Sequence, residues 1–258
     1  MNAGISLKEW WPWYDKIIKT FEYDRSKDQL ATDVLSRLVS SRAIDLQQLK
    51  VLISGQSVLV FGAGPSLEED LQQIAKENLL KKCVIISADG ATTALLKVAK
   101  VVPSVVVTDL DGNINDLFRA DRLGSVMVIH GHGDNIDRLQ AYVPKFKSVV
   151  GTTQVEPKPN VYNFGGFTDG DRAVFLAVVM GAKLVALAGM DLGRVVGRYS
   201  KKQVRSVEVK ILKLKICKEL LEWLASRVDI PLYNITRRGE RIEGFIKVTS
   251  SELTKIVQ

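Results

Sequence analysis

The chain has 258 residues, 46% of them hydrophobic, which is enough to bury the core of a large α/β domain or of one domain with an appendage. Its 36 Lys and Arg residues exceed its 29 Asp and Glu residues, and this net charge of +7 suits phosphorylated substrates as well as nucleic acid. Two cysteines, no apolar run near the roughly 20 residues of a membrane span and no leader peptide predict a soluble, cytoplasmic protein without a disulfide framework or a zinc site.

Residues 1–53 are predicted to form a helical N-terminal region that precedes an α/β domain over residues 54–258. Apolar residues recur at helical spacing between Val34 and Val39, after Asp24 as a candidate helix cap. An aromatic cluster lies near the start: Trp10, Trp11, Trp13 and Tyr14. We interpret this cluster as buried anchors that dock the N-terminal helices, and a lid over the substrate is the alternative.

From residue 57 onward, short apolar strands alternate with turns and helices. The strand, turn and helix scheme recurs in "SVLVFGAGPSL" (57–67), "CVIISADGATTALLKVA" (83–99), "SVVVTDLDGNINDLF" (104–118) and "SVMVIHGHGDNIDRLQAY" (125–142), and further strands are predicted in "SVVGTT" (148–153), "KLVALAGMDLG" (183–193) and 231–235. A long helix is predicted over about residues 206–226. This alternation predicts a three-layer α/β/α fold with a mostly parallel sheet.

A glycine-rich turn follows the first predicted strand. Gly62, Gly64 and Ser66 stand where backbone N–H groups and a helix N-terminus could receive a phosphate. The full dinucleotide pattern is absent because Leu67 stands where its third glycine would be. A tight turn with Ser66 as N-cap explains the motif equally well.

Two carboxylates, Asp109 and Asp111, follow the apolar strand that ends at Thr108. Open α/β sheets bind their ligands at the carboxyl ends of their strands, and Mg²⁺ prefers oxygen ligands that include one or two carboxylates. The pair is therefore interpreted as a Mg²⁺ site on a nucleotide. A phosphatase nucleophile with its acid partner, and a pair of solvated turn acids, are the alternatives.

Both histidines of the protein lie in the stretch "HGHGDN", after the next strand. His130 and His132 are interpreted as hydrogen-bonding or phosphate-contacting imidazoles rather than a zinc pair, since no cysteine is near. Asp134 is predicted to be a third oxygen ligand for the metal, facing Asp109 and Asp111. Its alternative is to cap the following helix.

The stretch "FTDGDR" begins another predicted helix. Thr168 or Asp169 caps this helix in one interpretation, whereas in the other Asp169 contacts a polar heterocycle and Arg172 lies near phosphate. The basic, glycine-punctuated segment 193–202 is either a mobile loop that closes over triphosphate or an ordinary solvated loop.

Taken in order, these motifs resemble the archaeal 6-hydroxymethyl-7,8-dihydropterin pyrophosphokinase family, whose catalytic domain is similar to thiamine pyrophosphokinase. The resemblance is carried by "GAGPSL" (62–67), "SADGA" (87–91), "TDLDG" (108–112), "HGHGDN" (130–135) and "GGFTDGDRA" (165–173). Asp-Gly-Ala at 89–91 replaces the Asp-Gly-Gly of the thiamine enzymes, and "HGHGDN" replaces a more acidic run. These departures favour the pterin enzyme.

The resemblance implies transfer of diphosphate from ATP to a dihydropterin alcohol, releasing AMP, in the biosynthesis of tetrahydromethanopterin or a related folate-like coenzyme. It implies Mg²⁺ as cofactor, with Asp109, Asp111 and Asp134 as catalytic and metal-binding residues. The residues expected to bind substrates are Gly62, Gly64, Ser66, Asp89, Gly90, His130, His132, Asn135, Thr168, Asp169 and Arg172. ATP and a small hydroxymethyl heterocycle are the expected partners, without nucleic acid or membrane, and a homodimer is compatible with the sequence.

Four other interpretations stay open on the sequence alone. A thiamine pyrophosphokinase-like enzyme would share most of the motifs. A haloacid-dehalogenase-type phosphatase would use Asp109 as nucleophile, but its first motif normally opens the fold, and here two strand–helix units precede it. A methyltransferase would leave "TDLDG" and "HGHGDN" unexplained. A nucleotide-binding or glycan-related module that shares "GAGPSL" would have no activity.

Overall fold

The computed structural model describes residues 6–200 and 206–257, so the last two residues of the predicted basic loop, 201–202, lie outside the described residues. Within these ranges nine strands form one sheet in which all pairs are parallel. The strands are β1 (Ser57–Phe61), β2 (Val84–Ala88), β3 (Val105–Thr108), β4 (Val126–His130), β5 (Val149–Thr152), β6 (Val161–Tyr162), β7 (Leu184–Ala188), β8 (Leu232–Asn234) and β9 (Ile246–Lys247).

Helices cover both faces of this sheet. They are α1 (Leu7–Phe21), α2 (Arg25–Val39), α3 (Leu46–Ile53), α4 (Leu67–Lys76), α5 (Gly90–Ala94), α6 (Ile114–Arg122), α7 (Ile136–Tyr142), α8 (Asp169–Val179), α9 (Val207–Ala225) and α10 (Ser250–Ile256). The strand order is β6-β5-β4-β3-β2-β1-β7-β8-β9. The predicted α/β/α architecture with helices at the N-terminus is confirmed.

The alternation of side chains along each strand explains the two helical layers. Val58 and Val60 of β1 pack with α1, α3, α8 and α9 on one face, whereas Leu59 and Phe61 pack with α4, α5 and α10 on the other. Successive residues of a strand point to opposite faces, so strands buried on both sides must be apolar throughout. The apolar runs in the sequence therefore follow directly from a sheet covered on both faces.

One strand, β6, differs from the sequence-based expectation. β6 has two residues and was not predicted, because so short a strand carries no periodicity that separates it from a loop. β9 is equally short, and its side chains are exposed. In the described parts of the chain, no helix combines the length and the apolar character that crossing a membrane would require.

The N-terminal helices wrap around the sheet rather than standing apart from it. α1 and α3 pack on the first face, whereas α2 packs on the opposite face through Ala31, Leu35 and Val39. Ala43, between α2 and α3, also forms an isolated bridge with Val149 of β5. The N-terminal region thus shares both cores with the sheet, and a domain boundary at residue 54 stays a prediction.

The interpretation of the aromatic cluster as anchors is confirmed. Trp10 is 1% exposed and Tyr14 is fully buried, while Trp11 and Trp13 are half-buried against the same core. The indole N–H of Trp10 donates to the carbonyl oxygen of Gln154 at 2.8 Å, which ties α1 to the segment after β5. A side chain fixed in this way is part of the core and not a lid.

We expect Trp10→Ala to lower the free energy of unfolding by about 3–5 kcal/mol, because it leaves a cavity and an unpaired carbonyl in the core. Urea denaturation measures this loss, and Trp13→Ala, at a half-buried position, should cost less. A Trp10→Ala protein with unchanged stability and lost substrate closure would instead support the lid.

Candidate active site

The carboxyl ends of β2, β3, β4 and β5 bring most of the predicted site residues to one edge of the sheet. Neighbouring parallel strands end side by side, so the residues that follow them meet there. Asp89 follows β2, Asp109 follows β3, and His130 is the last residue of β4. Motifs that follow one another in the sequence therefore lie side by side along this edge of the sheet.

Three carboxylates converge at this edge. One ligand atom from each of Asp89, Asp109 and Asp111 lies within 4.8 Å of the others. Asp89 and Asp109 are buried, at 6% and 9% exposure, whereas Asp111 is half-buried. Carboxylate oxygens at this spacing fit a hard divalent cation such as Mg²⁺, which is bound by one or two carboxylates together with substrate phosphates.

The local backbone explains how both acids of "TDLDG" reach the same point. Leu110, between them, adopts a left-handed conformation with φ of 65°, which is uncommon for a residue with a side chain. Its N–H donates to Thr108 Oγ1 at 2.8 Å, and that hydroxyl donates to Asp89 Oδ1 at 3.1 Å. The tight turn therefore returns Asp111 to the side of Asp109 and links both to Asp89.

Electrostatics favours a cation at this group. Burial raises the pKa of Asp89 well above its usual value, and the nearby carboxylates of Asp169, Asp111 and Asp109 raise it further. Several buried acids cannot all ionise unless positive charge compensates them. A divalent cation provides that compensation, so the chemistry of these residues fits the metal that the sequence implied.

Asp134, predicted as the third ligand, is not in this group. Asp134 is exposed to solvent. The carboxylate next to Asp109 and Asp111 is that of Asp89, which the sequence analysis had assigned to substrate binding. Asn135, rather than Asp134, precedes α7 as its N-cap residue. The group of three carboxylates within 4.8 Å thus contains Asp89 in the place expected for Asp134, and a role of Asp134 as metal ligand stays a prediction.

Asn135 fastens two strand ends together. Its Nδ2 donates to the carbonyl oxygens of Asp109 at 2.9 Å and His130 at 2.7 Å, and its Oδ1 accepts from the N–H of His132 at 3.0 Å. All three bonds are to the backbone, so the amide holds the turn that carries Asp109 and the loop that carries His132 in fixed positions relative to each other. Asn135 is therefore a positioning residue.

The two histidines occupy different environments. His130 is buried, and burial together with the guanidinium of Arg172 holds its pKa well below the usual value, so the imidazole is neutral. Its Nδ1 lies 3.2 Å from the carbonyl oxygen of Thr152. His132 is half-buried, with Nε2 at 3.5 Å from Asp109 Oδ2, so it borders the carboxylate group directly.

The glycine-rich turn after β1 contacts its own chain where a phosphate had been expected. The N–H and Oγ of Ser66 both donate to Asp191 Oδ2, at 3.3 and 3.0 Å, and Oγ also bonds Asp70. A Cβ at Gly64 would lie 2.0 Å from the same Asp191 oxygen, and one at Gly62 would lie 2.4 Å from the sulfur of Met190. Glycine is therefore required at positions 62 and 64 because the turn packs closely against the segment after β7, where a side chain would not fit.

Asp191 is a residue that sequence reasoning missed. It belongs to "AGMDLG", where a single acid after an apolar strand reads as a solvated turn residue. The side chain of Ser66 does not cap α4, although a cap was one of its two predicted roles. Both facts follow from the pairing of β1 with β7, which are far apart in the sequence.

Part of the basic loop lies over these turns. A Cβ at Gly197 would approach the carbonyl oxygen of Ala63 to 2.1 Å, and a Cβ at Gly90 would approach that of Tyr199 to 1.9 Å. The hydroxyl of Tyr199 donates to Glu68 Oε1 at 2.5 Å. The described residues of the loop thus pack against Gly90, and its closure over ATP stays a prediction.

The start of α8 is organised by Asp171. Thr168 is the N-cap residue, and its N–H and that of Phe167 both donate to Asp171, each at 2.7 Å. Thr168 therefore occupies the N-cap position, and Asp171 binds the backbone N–H groups that precede the helix. Asp169 is close enough to Asp89 to raise the pKa of that acid, whereas Arg172 is fully buried.

Asp28 links α2 to the site and had no signal in the sequence. It is 4% exposed, and its Oδ2 accepts from the Tyr14 hydroxyl at 2.7 Å and from Gln154 Nε2 at 3.1 Å. Its Oδ1 accepts from the N–H of Gly133 at 2.8 Å. A lone acid on an amphipathic helix gives no hint of these three partners, which come from α1 and from the loops after β4 and β5.

Comparison with known proteins gives one consistent result. The sequence model of the family described as 6-hydroxymethylpterin diphosphokinase MptE-like matches residues 34–197, more than half of the chain. A protein of Pyrococcus furiosus named 6-hydroxymethyl-7,8-dihydropterin pyrophosphokinase is 48% identical over 226 residues, which cover 85% of this chain and 94% of that protein.

Two further relatives carry the same name. The protein of Methanothermobacter thermautotrophicus is 41% identical over 231 residues, covering 88% of this chain and 98% of its own length. That of Methanocaldococcus jannaschii is 40% identical over 239 residues, with the same two coverages of 88% and 98%. The matched range contains every motif on which the resemblance rested, and the chain belongs to the MptE-like 6-hydroxymethylpterin diphosphokinase family.

Proposed function

We propose that the protein transfers the diphosphate group of ATP to 6-hydroxymethyl-7,8-dihydropterin, in a Mg²⁺-dependent reaction that releases AMP. The observation that carries this proposal is the group formed by Asp89, Asp109 and Asp111, which fits a divalent cation. The names of the three relatives support the choice of acceptor. Family membership weighs against the phosphatase and methyltransferase alternatives.

The proposed step is a direct displacement. The hydroxymethyl oxygen of the acceptor attacks the β-phosphorus of ATP, and a new oxygen–phosphorus bond forms. The bond between the β-phosphorus and the oxygen that bridges it to the α-phosphorus breaks, AMP leaves with that oxygen, and the hydroxyl proton is released. Transfers of this kind require positioning and charge neutralisation more than a covalent enzyme intermediate.

The carboxylates and their neighbours divide these tasks. Asp109, Asp111 and Asp89 would hold Mg²⁺, which neutralises charge on the phosphate oxygens when bound. Asn135 keeps Asp109 in place through its backbone carbonyl. His132, 3.5 Å from Asp109, borders the same edge and is proposed to contact the transferred phosphates.

The test follows the γ-phosphate. With γ-labelled ATP and Mg²⁺, we expect the label in an acid-stable diphosphorylated pterin, together with an equimolar amount of AMP, and no such product from thiamine. Label bound to Asp109, or released as inorganic phosphate without AMP, would overturn the proposal in favour of a phosphatase. A thiamine product instead of a pterin product would replace the acceptor but keep the reaction.

A further inference from the structure

The loop after β4 is held in place by its own backbone N–H groups. In this histidine loop, residues 131–135, the N–H of Gly131 donates to the carbonyl oxygen of Thr152 at 3.0 Å, that of His132 to Asn135 Oδ1 at 3.0 Å, that of Gly133 to Asp28 Oδ1 at 2.8 Å, that of Asp134 to His132 Nδ1 at 3.3 Å, and that of Asn135 to the carbonyl oxygen of His132 at 3.0 Å. Every donor of the loop is therefore satisfied, which fixes its path. The partner of Gly133 is a side chain of α2, which lies 105 residues away in the sequence.

Helix α2 also packs on both glycines of the histidine loop. A Cβ at Gly133 would lie 2.7 Å from Lys27 Cβ, and a Cβ at Gly131 would lie 3.3 Å from the carbonyl oxygen of Ala31. Lys27, Asp28 and Ala31 are spaced so that they share one face of the helix. That face therefore sets the position of the loop, and Asp28 supplies a hydrogen bond from it.

Asp28 is buried, at 4% exposure, so hydrogen bonds must replace the hydration that its carboxylate loses. Its Oδ2 accepts from the Tyr14 hydroxyl at 2.7 Å and from Gln154 Nε2 at 3.1 Å. These donors come from α1 and from the segment after β5, whereas the donor to Oδ1 is Gly133 of the histidine loop. One carboxylate thus ties the loop to two segments that are themselves part of the core.

The ring of His132 is oriented by the same loop. Its Nδ1 accepts from the N–H of Asp134, so the ring proton lies on Nε2. Nε2 is 3.5 Å from Asp109 Oδ2, and its N–H therefore faces the carboxylate edge, where phosphate oxygens would accept it. The N–H that orients the ring belongs to the residue directly after Gly133, so a movement of Gly133 away from Asp28 would move it as well.

We infer that Asp28 is a positioning residue of the active site. Through the N–H of Gly133 it fixes the histidine loop, and the loop presents the Nε2–H of His132 beside Asp109. The expected effect on turnover rests on the proposed function, in which His132 contacts the transferred phosphates. The inference extends that site to α2, a helix of the N-terminal region.

Asp28→Ala removes the acceptor of the Gly133 N–H. We expect kcat to fall about tenfold, with the KM values of both substrates within about twofold of wild type, because a displaced group costs rate more than binding. Gly133→Ala tests the same contact from the loop and should cause a similar loss, since its Cβ meets Lys27 and its φ lies outside the left-handed region. Asp28→Asn should recover kcat to within about threefold of wild type, because an amide oxygen still accepts from Gly133.

Thr32→Val is the matched structural control on the same helix. Its hydroxyl donates to the carbonyl oxygen of Asp28 at 2.9 Å and bonds Thr153 Oγ1 at 2.7 Å, so its loss weakens the attachment of α2 but spares the Asp28 carboxylate. We expect Thr32→Val to lower the melting temperature and to leave kcat unchanged. A loss of kcat as large as that of Asp28→Ala would assign the effect to a destabilised α2 and overturn the inference.

A double-mutant cycle with His132→Ala shows whether Asp28 acts through that imidazole. Asp28→Ala should cost about tenfold in kcat in the wild-type background, and less than about twofold in the His132→Ala background. Equal losses in the two backgrounds would show that Asp28 does not act through His132.

Nuclear magnetic resonance gives a readout that is independent of turnover. The chain has two histidines, so labelling histidine with ¹⁵N gives two imidazole signals, and His132→Ala identifies which is which. At about pH 8, where free imidazoles are neutral, we expect the Nε2–H tautomer for His132 in the wild type and a mixture of both tautomers in Asp28→Ala and Gly133→Ala. An unchanged Nε2–H signal in both variants would overturn the inference. If the wild type forms no diphosphorylated pterin, the proposed function fails, and this spectrum alone decides the role of Asp28.

Discussion

Replacing Asp109 or Asp111 with Asn is expected to reduce turnover about a thousandfold while the protein stays folded. Each change keeps the size of the side chain and removes one negative charge from the group that also contains Asp89. The loss should therefore fall on the affinity for Mg²⁺ and on the stabilisation of charge during transfer. Because both carboxylates lie at the sheet edge and not in the apolar core, packing is preserved.

Steady-state rates over a range of Mg²⁺ concentrations measure this effect, and thermal unfolding checks the fold. Asp137→Asn, an exposed residue of α7, is the charge-matched control and should behave as wild type. Asp134→Asn and Asp89→Asn together test which of these two acids is the third metal ligand. We expect a much smaller loss of turnover in Asp134→Asn than in Asp89→Asn. Wild-type rates in Asp109→Asn or Asp111→Asn would remove the metal assignment altogether.

Gly112→Ala is expected to lower turnover about a hundredfold, although it adds only one methyl group. A Cβ at this position would lie 2.4 Å from Asp89 Oδ1 and 2.8 Å from Asp89 Oδ2, so the carboxylate must move. A displacement of about 1 Å in a catalytic group costs a factor of this order. The backbone itself can accept alanine, because φ at Gly112 lies outside the left-handed region.

Titration with Mg²⁺ or Mn²⁺ should show weaker metal binding by Gly112→Ala than by wild type. Gly193→Ala is the control, since the nearest atom to its added Cβ is the carbonyl oxygen of Asp191 at 3.9 Å, an ordinary contact. Equal metal affinity and rate in Gly112→Ala and wild type would show that Asp89 is not held against this turn.

The alternation of strands and helices could be predicted from the sequence because the information is local. Three β-branched residues before "TDLDG" and a capped helix after it define one strand and one helix without reference to the rest of the chain. The parallel topology follows from that alternation, and with it the edge at which Asp109 and Asp111 lie. β6 was missed because two residues carry no such pattern.

The partners of the site residues could not be predicted in the same way, since they depend on distances between segments far apart in the sequence. Asp89 and Asp134 both follow strands next to β3. In the sequence analysis Asp134 is assigned as the third carboxylate, because the distances between strand ends cannot be derived from one segment. In the tertiary structure Asp89 is the acid that lies next to Asp109 and Asp111. Gly112 has no side chain, so the turn after β3 can approach Asp89 closely.

By itself the sequence determined the fold class, the edge of the sheet that carries the polar motifs and the family, since each rests on residues within one short segment. Tertiary structure alone decided that Ser66 contacts Asp191, that Asp28 of α2 holds the loop after β4, and that Arg172 is fully buried with its guanidinium on the carbonyl oxygen of Phe167. Packing across the sheet selects these contacts, and packing is a property of the whole chain that no single segment encodes.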